Sequence, residues 1–220
     1  MEKLPILLTG ATGMVGEGVL HECVLDENIE KIVVLGRKPC GYNHPKVSDL
    51  VTPDLMELSA IESQLSGFDA CLFCSGISSV GVNQEDFHRM TYTLTLHIAN
   101  VLVKKNPTMT FCYISGASTD STEKGRINWA RVKGKTENDL MKLPFKAVYN
   151  FRPGVLTPTK GLKNTLSYYK YFGWLGSVVK LVAPNSISTL AQLGKAMIQV
   201  CTKGYQKNIV EVKDILELSN

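Results

Sequence analysis

No run of 18 consecutive apolar residues occurs in this 220-residue chain, so nothing in it has the length of a membrane-spanning helix. The nearest approach, Trp174 to Ala183, is short and is interrupted by Lys180. A block of one charge is also missing. The 24 basic and 20 acidic residues are mixed along the chain and leave a net charge of +4, which gives no footprint for nucleic acid. The four histidines, His21, His44, His88 and His97, share no metal-ligand spacing with one another or with the cysteines, and no metal site is expected. Ahead of the first apolar run, at Pro5 or Ile6, there is no room for the charged and apolar regions of a secretory leader. A cytoplasmic location is therefore expected, with the six cysteines as reduced thiols. Cys71 and Cys74 have the spacing of a redox or zinc pair, but they fall on an apolar run of strand length. Residues three apart on a strand point to opposite faces, so their sulfurs should diverge.

What the chain does have is alternation. Apolar runs at Ile6–Leu8, Ile32–Leu35, Val47–Val51, Ala70–Cys74, Met109–Ile114 and Lys146–Phe151 read as strands. Between them lie helical patterns. Val15, Val19, Cys23 and Val24 form one inward face, and Leu55, Leu58, Ile61 and Leu65 another. Longer patterns run from Asp86 to Lys105 and from Asn128 to Lys142. This order predicts an α/β fold: one Rossmann-type, doubly wound parallel sheet over residues 1–220, with helices on both faces. Residues 156–187 interrupt the alternation and are expected to form a small C-terminal substrate-side or lid segment. In it, Tyr168, Tyr169, Tyr171, Phe172 and Trp174 crowd five aromatics into seven residues. Ser188 is expected to cap a helix carrying Leu190, Leu193, Met197 and Cys201 inward and ending at Gly204, before a last strand at Ile209–Val212.

The first strand and first helix are joined by Gly10-Ala11-Thr12-Gly13-Met14-Val15-Gly16. Glycines in a strand–turn–helix setting permit a tight turn and let backbone approach a pyrophosphate, while the helix N-terminus supplies free N–H groups. The turn predicts a dinucleotide site. The second strand runs into Arg37 and Lys38, where an NAD site would usually carry a carboxylate for the ribose hydroxyls. A guanidinium there grips a 2′-phosphate, so NADP(H) is favoured, with NAD(H) as the alternative.

Together with Val132-Lys133-Gly134 and Phe151-Arg152-Pro153-Gly154-Val155-Leu156, these motifs resemble the atypical short-chain dehydrogenase/reductases, within them the Tat-interacting oxidoreductase-like group, over nearly the whole chain. The resemblance implies further roles. Asp54 and Leu55 would contact adenine, and Cys74, Ser75 and Gly76 would pass over the ribose. Ser115 would stand as the catalytic serine, and Lys133 as the catalytic lysine that also bonds the nicotinamide ribose. Pro153, Gly154 and Val155 would border the nicotinamide. One position departs from the pattern: Trp129 stands four before Lys133, where the family has tyrosine. An indole N–H donates a hydrogen bond but does not exchange a proton near neutral pH, so the usual general acid is missing. Tyr92, Tyr113 and the Tyr168 cluster are the substitutes. Two functions follow: an NADP(H)-dependent oxidoreductase or isomerase on a small carbonyl substrate, or a cofactor-bound regulatory module meeting a protein partner through Tyr168 to Trp174.

Overall fold

The computed structural model describes residues 3–164 and 186–220; the aromatic stretch from Tyr168 to Trp174 and the apolar stretch from Trp174 to Ala183 lie outside them. The central sheet is built from β1 (Leu4–Thr9), β2 (Ile29–Gly36), β3 (Val47–Val51), β4 (Ala70–Phe73), β5 (Thr110–Ile114), β6 (Ala147–Arg152) and, in space, a short edge strand Ile209–Glu211. Every pairing is parallel, in the order β3-β2-β1-β4-β5-β6-edge strand. Strand succession reverses between β1 and β4, and a doubly wound sheet opens its ligand crevice at such a switch point.

Alternation along β1 sends Ile6 and Leu8 to one face and Leu7 to the other, all fully buried. The first face packs against α1 (Met14–Leu25) through Val19 and Cys23, and against α5 (Leu190–Lys203) through Leu193 and Met197. The opposite face packs Phe73 and Phe111 against Leu94, Ile98 and Leu102 of α3 (Leu94–Lys105). Cys71 belongs to this second core, whereas Cys74 packs against the first, so the two sulfurs diverge as the strand period requires. Burial also pushes the Cys74 thiol up to about 12, leaving it an unreactive wall residue.

Several boundaries depart from the sequence pattern. Leu55, Leu58, Ile61 and Leu65 are all buried, but the turn they flank and fill is a 3-10 helix, Ser59–Gln64. The pattern read as one helix to Lys105 begins as α2 (Gln84–His88) and is interrupted by a π-helical turn, Arg89–Thr93, before α3. Ser188 does not cap α5. It lies on β8 (Ile187–Thr189), which pairs in parallel with β7 (Val155–Thr157), and its hydroxyl is buried with no partner. Thr189 is the cap, exchanging hydrogen bonds with Gln192 as a capping box, while Gly204 at φ 73° ends the helix as expected. The edge strand, β9, stops at Glu211, and residues Val212–Leu218 form a further helix, α6, that the pattern did not disclose. The remaining helix, α4 (Asn128–Leu140), places Lys133 and Gly134 beside the loop after β5.

Candidate functional site

The glycine turn sits at the C-terminal end of β1, against the end of β4. Gly10 has φ 75°, and a Cβ there would stand 2.6 Å from the Cys74 carbonyl carbon and oxygen, so both conformation and packing demand glycine. A Cβ on Gly16 would fall on the Gly10 carbonyl. Gly13 differs. Its φ of −103° suits any residue, and an added Cβ would meet only the Gly10 oxygen, at 3.5 Å. The protein itself therefore leaves room over Gly13, which caps α1 with no side-chain hydrogen bond and lines a groove of about 210 Å³. Such a cradle fits a pyrophosphate laid against the unpaired N–H groups of a helix start.

The same groove is walled by Ala11 and Thr12, by Gly36, Arg37 and Lys38 at the end of β2, by Leu55, and by Cys74, Ser75 and Gly76 after β4. The Ser75 N–H donates to the Thr9 hydroxyl at 3.2 Å, which fixes the floor. Val34, Leu35, Ile77, Met90 and Leu94 also line it and were not among the expected contacts; Met90 comes from the π-helical turn, which no residue pattern announced. Arg37 and Lys38 are exposed and take part in none of the ion pairs of the described residues, and together with Thr12 they border a further hollow. Met14, Val15 and Gly16 lie behind the groove in the first turn of α1. Asp54 does not line it: its carboxylate accepts the Met56 N–H at 2.9 Å and closes a turn, leaving Leu55 to meet the groove.

Beyond the groove, β5 and β6 bring a second group together. The Ser115 N–H donates to the Phe151 carbonyl at 2.7 Å and the Ala117 N–H to the Pro153 carbonyl at 3.0 Å, which sets Pro153, Gly154 and Val155 beside Ser115. The Lys133 Nζ donates to the Ser115 carbonyl at 3.0 Å and to that of Ile114 at 3.4 Å, leaving one of its three donors. Burial lowers the Lys133 ammonium to about 8, opposed by the Glu137 carboxylate one turn on. Glu137, fully buried, pairs through both carboxylate oxygens with Arg152, whose guanidinium also reaches Glu211 and the Ser121 hydroxyl. This fork ties α4 to β6 and β9 one helical turn on from Lys133. The pattern of residues alone gave no sign of it, because its members come from four separate segments.

Ser115 is buried and its hydroxyl lies 3.0 Å from that of Thr119. Thr119 donates its own proton to the Gly116 carbonyl at 2.8 Å, so the Ser115 proton is directed to Thr119. Trp129 is half-buried in the first turn of α4. Of the two described tyrosines expected as substitutes, one is hydrogen-bonded and the other buried. Tyr92 donates to Asp139 at 2.8 Å, and burial with that carboxylate raises its phenol. Tyr113 is 1% exposed, and burial followed by Glu137 pushes its phenol far above the usual range.

Sheet order, glycine turn and crevice define a Rossmann-type nucleotide-binding domain of the short-chain dehydrogenase/reductase kind. The chain belongs to the NAD dependent epimerase/dehydratase family, whose model matches residues 6–127, more than half of its length. The family's description carries NAD dependence and epimerase and dehydratase chemistry, in line with a nicotinamide dinucleotide in the groove. Among curated relatives, Protein FMP52-2, mitochondrial, from Scheffersomyces stipitis is 29% identical over 153 residues, covering 68% of this chain and 65% of that one. Protein HTATIP2 from Rattus norvegicus is 23% identical over 158 residues, 71% of this chain and 64% of that one, in line with the resemblance read from the motifs. The chain thus spans a little under two thirds of the length of each. A short chain dehydrogenase/reductase family oxidoreductase from Burkholderia thailandensis superposes with a TM-score of 0.72 over 98% of this chain and 94% of that one; at 10% identity the likeness speaks for the fold.

The expectation of a cytoplasmic location is corrected here. FMP52 proteins of several yeasts are mitochondrial by name, which points away from the cytoplasm. The residue pattern behind that expectation does not separate cytoplasm from mitochondrion.

Proposed function

We propose that the chain is an NADP(H)-dependent oxidoreductase or isomerase acting on a small carbonyl substrate, with Trp129 in the place of the usual catalytic tyrosine. The observation that carries the reading is the placement of two exposed cations, Arg37 and Lys38, on the wall of a dinucleotide groove that has no carboxylate at that point. Gly10 to Gly16 would hold the pyrophosphate, Arg37 and Lys38 the 2′-phosphate, Leu55 the adenine, and Cys74, Ser75 and Gly76 the adjoining ribose. Asp54 shapes the turn that presents Leu55. Lys133 would hold the nicotinamide ribose and Pro153, Gly154 and Val155 would border the ring. Bound cofactor supplies the hydride. Ser115 would orient the substrate oxygen once its hydroxyl turns from Thr119, and the Lys133 ammonium beside it, lowered to about 8, would give up the proton near neutral pH. NADPH oxidation over a panel of small carbonyl compounds tests this; no turnover above background, with NADPH demonstrably bound, refutes it.

A second reading is a non-catalytic, NADP(H)-bound regulatory or protein-interaction module. It is favoured by Trp129, by the hydrogen bond of Tyr92 to Asp139 and by the burial of Tyr113. The protein surface once expected at Tyr168 to Trp174 lies outside the described residues. Replacing Trp129→Tyr discriminates: turnover by the tyrosine variant alone supports the module, and turnover by the native chain supports the enzyme.

A further inference from the structure

A cleft of about 740 Å³ adjoins the dinucleotide groove, with Ala11 and Thr12 common to both walls. Neither Arg37 nor Lys38 lines it. Its floor is α1, and its sides are the loop 40–44 and the segment 161–164. Glu17 locks one side: 7% exposed, it accepts the backbone N–H groups of Lys163 at 2.8 Å and Asn164 at 2.7 Å, so both its oxygens are engaged within the fold.

Two imidazoles line the cleft, and the hydrogen bonds fix the tautomer of each. His44 Nδ1 accepts the Lys46 N–H at 3.2 Å, so its ring proton sits on Nε2. His21 Nδ1 lies 3.1 Å from the Tyr42 hydroxyl. A phenol is a better donor than a neutral imidazole and the imidazole is the better base, so Tyr42 donates and His21 also carries its proton on Nε2. Both rings are half-buried, and both are left with an Nε2–H donor. The Lys163 side chain, exposed on the same cleft and outside the ion pairs of the described residues, adds a positive charge.

We propose that this cleft is a second ligand site, separate from the dinucleotide groove, that takes a small anion bearing a carboxylate or phosphate, gripped by the Nε2–H groups of His21 and His44. The site does not depend on the reading of the chain as an enzyme. An acceptor-rich anion satisfies two fixed donors at once, and charge-assisted hydrogen bonds of this kind are the strong ones. None of His21, His44 and Lys163 lines the dinucleotide groove, so the two ligands would bind together.

The test follows the imidazole resonances of the ¹⁵N-labelled chain during titration with inorganic phosphate and, separately, succinate, at ionic strength held constant with sodium chloride. Saturable shifts confined to His21 and His44, with His88 and His97 unmoved, are expected for at least one of the two anions. The same curve is expected in saturating NADPH. His21→Gln and His44→Gln should each raise the half-saturating concentration about tenfold. Non-saturating drift or equal movement of all four histidines overturns the proposal. Loss of binding with NADPH but not with NADH also overturns it, since the cleft would then be an extension of the 2′-phosphate pocket.

Discussion

Gly10 and Gly13 stand three residues apart in one turn, and the geometry assigns them opposite demands. At Gly10, alanine meets φ 75° and a backbone contact at 2.6 Å. The left-handed conformation costs about 1–2 kcal/mol and the overlap about 1–3 kcal/mol more, so Gly10→Ala should lose roughly 2–5 kcal/mol of stability. For a chain of this size about 1 kcal/mol corresponds to roughly 2–4 °C, so the melting temperature should fall by about 4–20 °C. At Gly13 the added methyl meets one oxygen at 3.5 Å and an unstrained backbone. The poorer helix cap costs about 0.5–1 kcal/mol, and the stiffer unfolded chain returns about 0.4–1 kcal/mol. Gly13→Ala should therefore melt within about 3 °C of the parent. The methyl nevertheless fills the cradle, and NADPH affinity should fall at least about tenfold, or ~1.4 kcal/mol. Differential scanning fluorimetry with a fluorescence titration of NADPH separates the two effects. Parental NADPH affinity in Gly13→Ala, or equal destabilisation by both substitutions, would refute the reasoning.

Glu137→Ala leaves the Arg152 guanidinium, 8% exposed, without its bidentate partner. A loss of about 3–5 kcal/mol is expected and is read from the urea midpoint; a loss under about 1 kcal/mol would show that the fork is not buried as described. Burial lowers Lys133 to about 8 against an ordinary value of 10.5, so between these values the unfolded chain binds more protons than the folded one. The contribution of Lys133 to stability therefore rises with pH across that window. Its acylation by acetic anhydride, followed by mass spectrometry, should titrate near pH 8; a midpoint above about 10 would show that burial does not lower it. Thr189→Ala removes the capping box of α5 and should lower the melting temperature by about 2–4 °C, whereas Ser188→Ala, which removes a buried hydroxyl with no partner, should be neutral or mildly stabilising.

The sheet was legible because each strand is a short apolar run and each covering helix carries a 3.6-residue period; β3 matches its expected bounds residue for residue. What escaped has physical causes. α6 follows β9 with no glycine or proline between them, and its start is marked only by the reciprocal bonds of Glu211 and Asp214, two acids in a charged stretch. The π-helical turn leaves the helical composition of residues 84–105 unchanged, since it adds one residue to a turn without altering its period elsewhere. The glycine turn could be read directly from its setting between strand and helix. Ser115 and Lys133 could be named only by resemblance, because 18 residues and a loop separate them in sequence while Lys133 bonds the Ser115 carbonyl in space. The Ser115–Thr119 hydroxyl chain, the Glu137–Arg152 fork and the His21–His44 cleft are tertiary arrangements with no local signature. Asp54, read as an adenine contact, closes the turn behind Leu55, a bond that the residue pattern did not announce.

The most direct test of the central claim compares NADPH and NADH by fluorescence titration of the native chain and of Arg37→Ala. The account predicts that NADPH binds the native chain about tenfold or more tightly than NADH, a difference of roughly 1.5–3 kcal/mol from charge-assisted hydrogen bonds, and that Arg37→Ala removes most of this preference while leaving NADH affinity unchanged. Equal affinities for the two dinucleotides in the native chain, or a preference that survives the loss of Arg37, would contradict it.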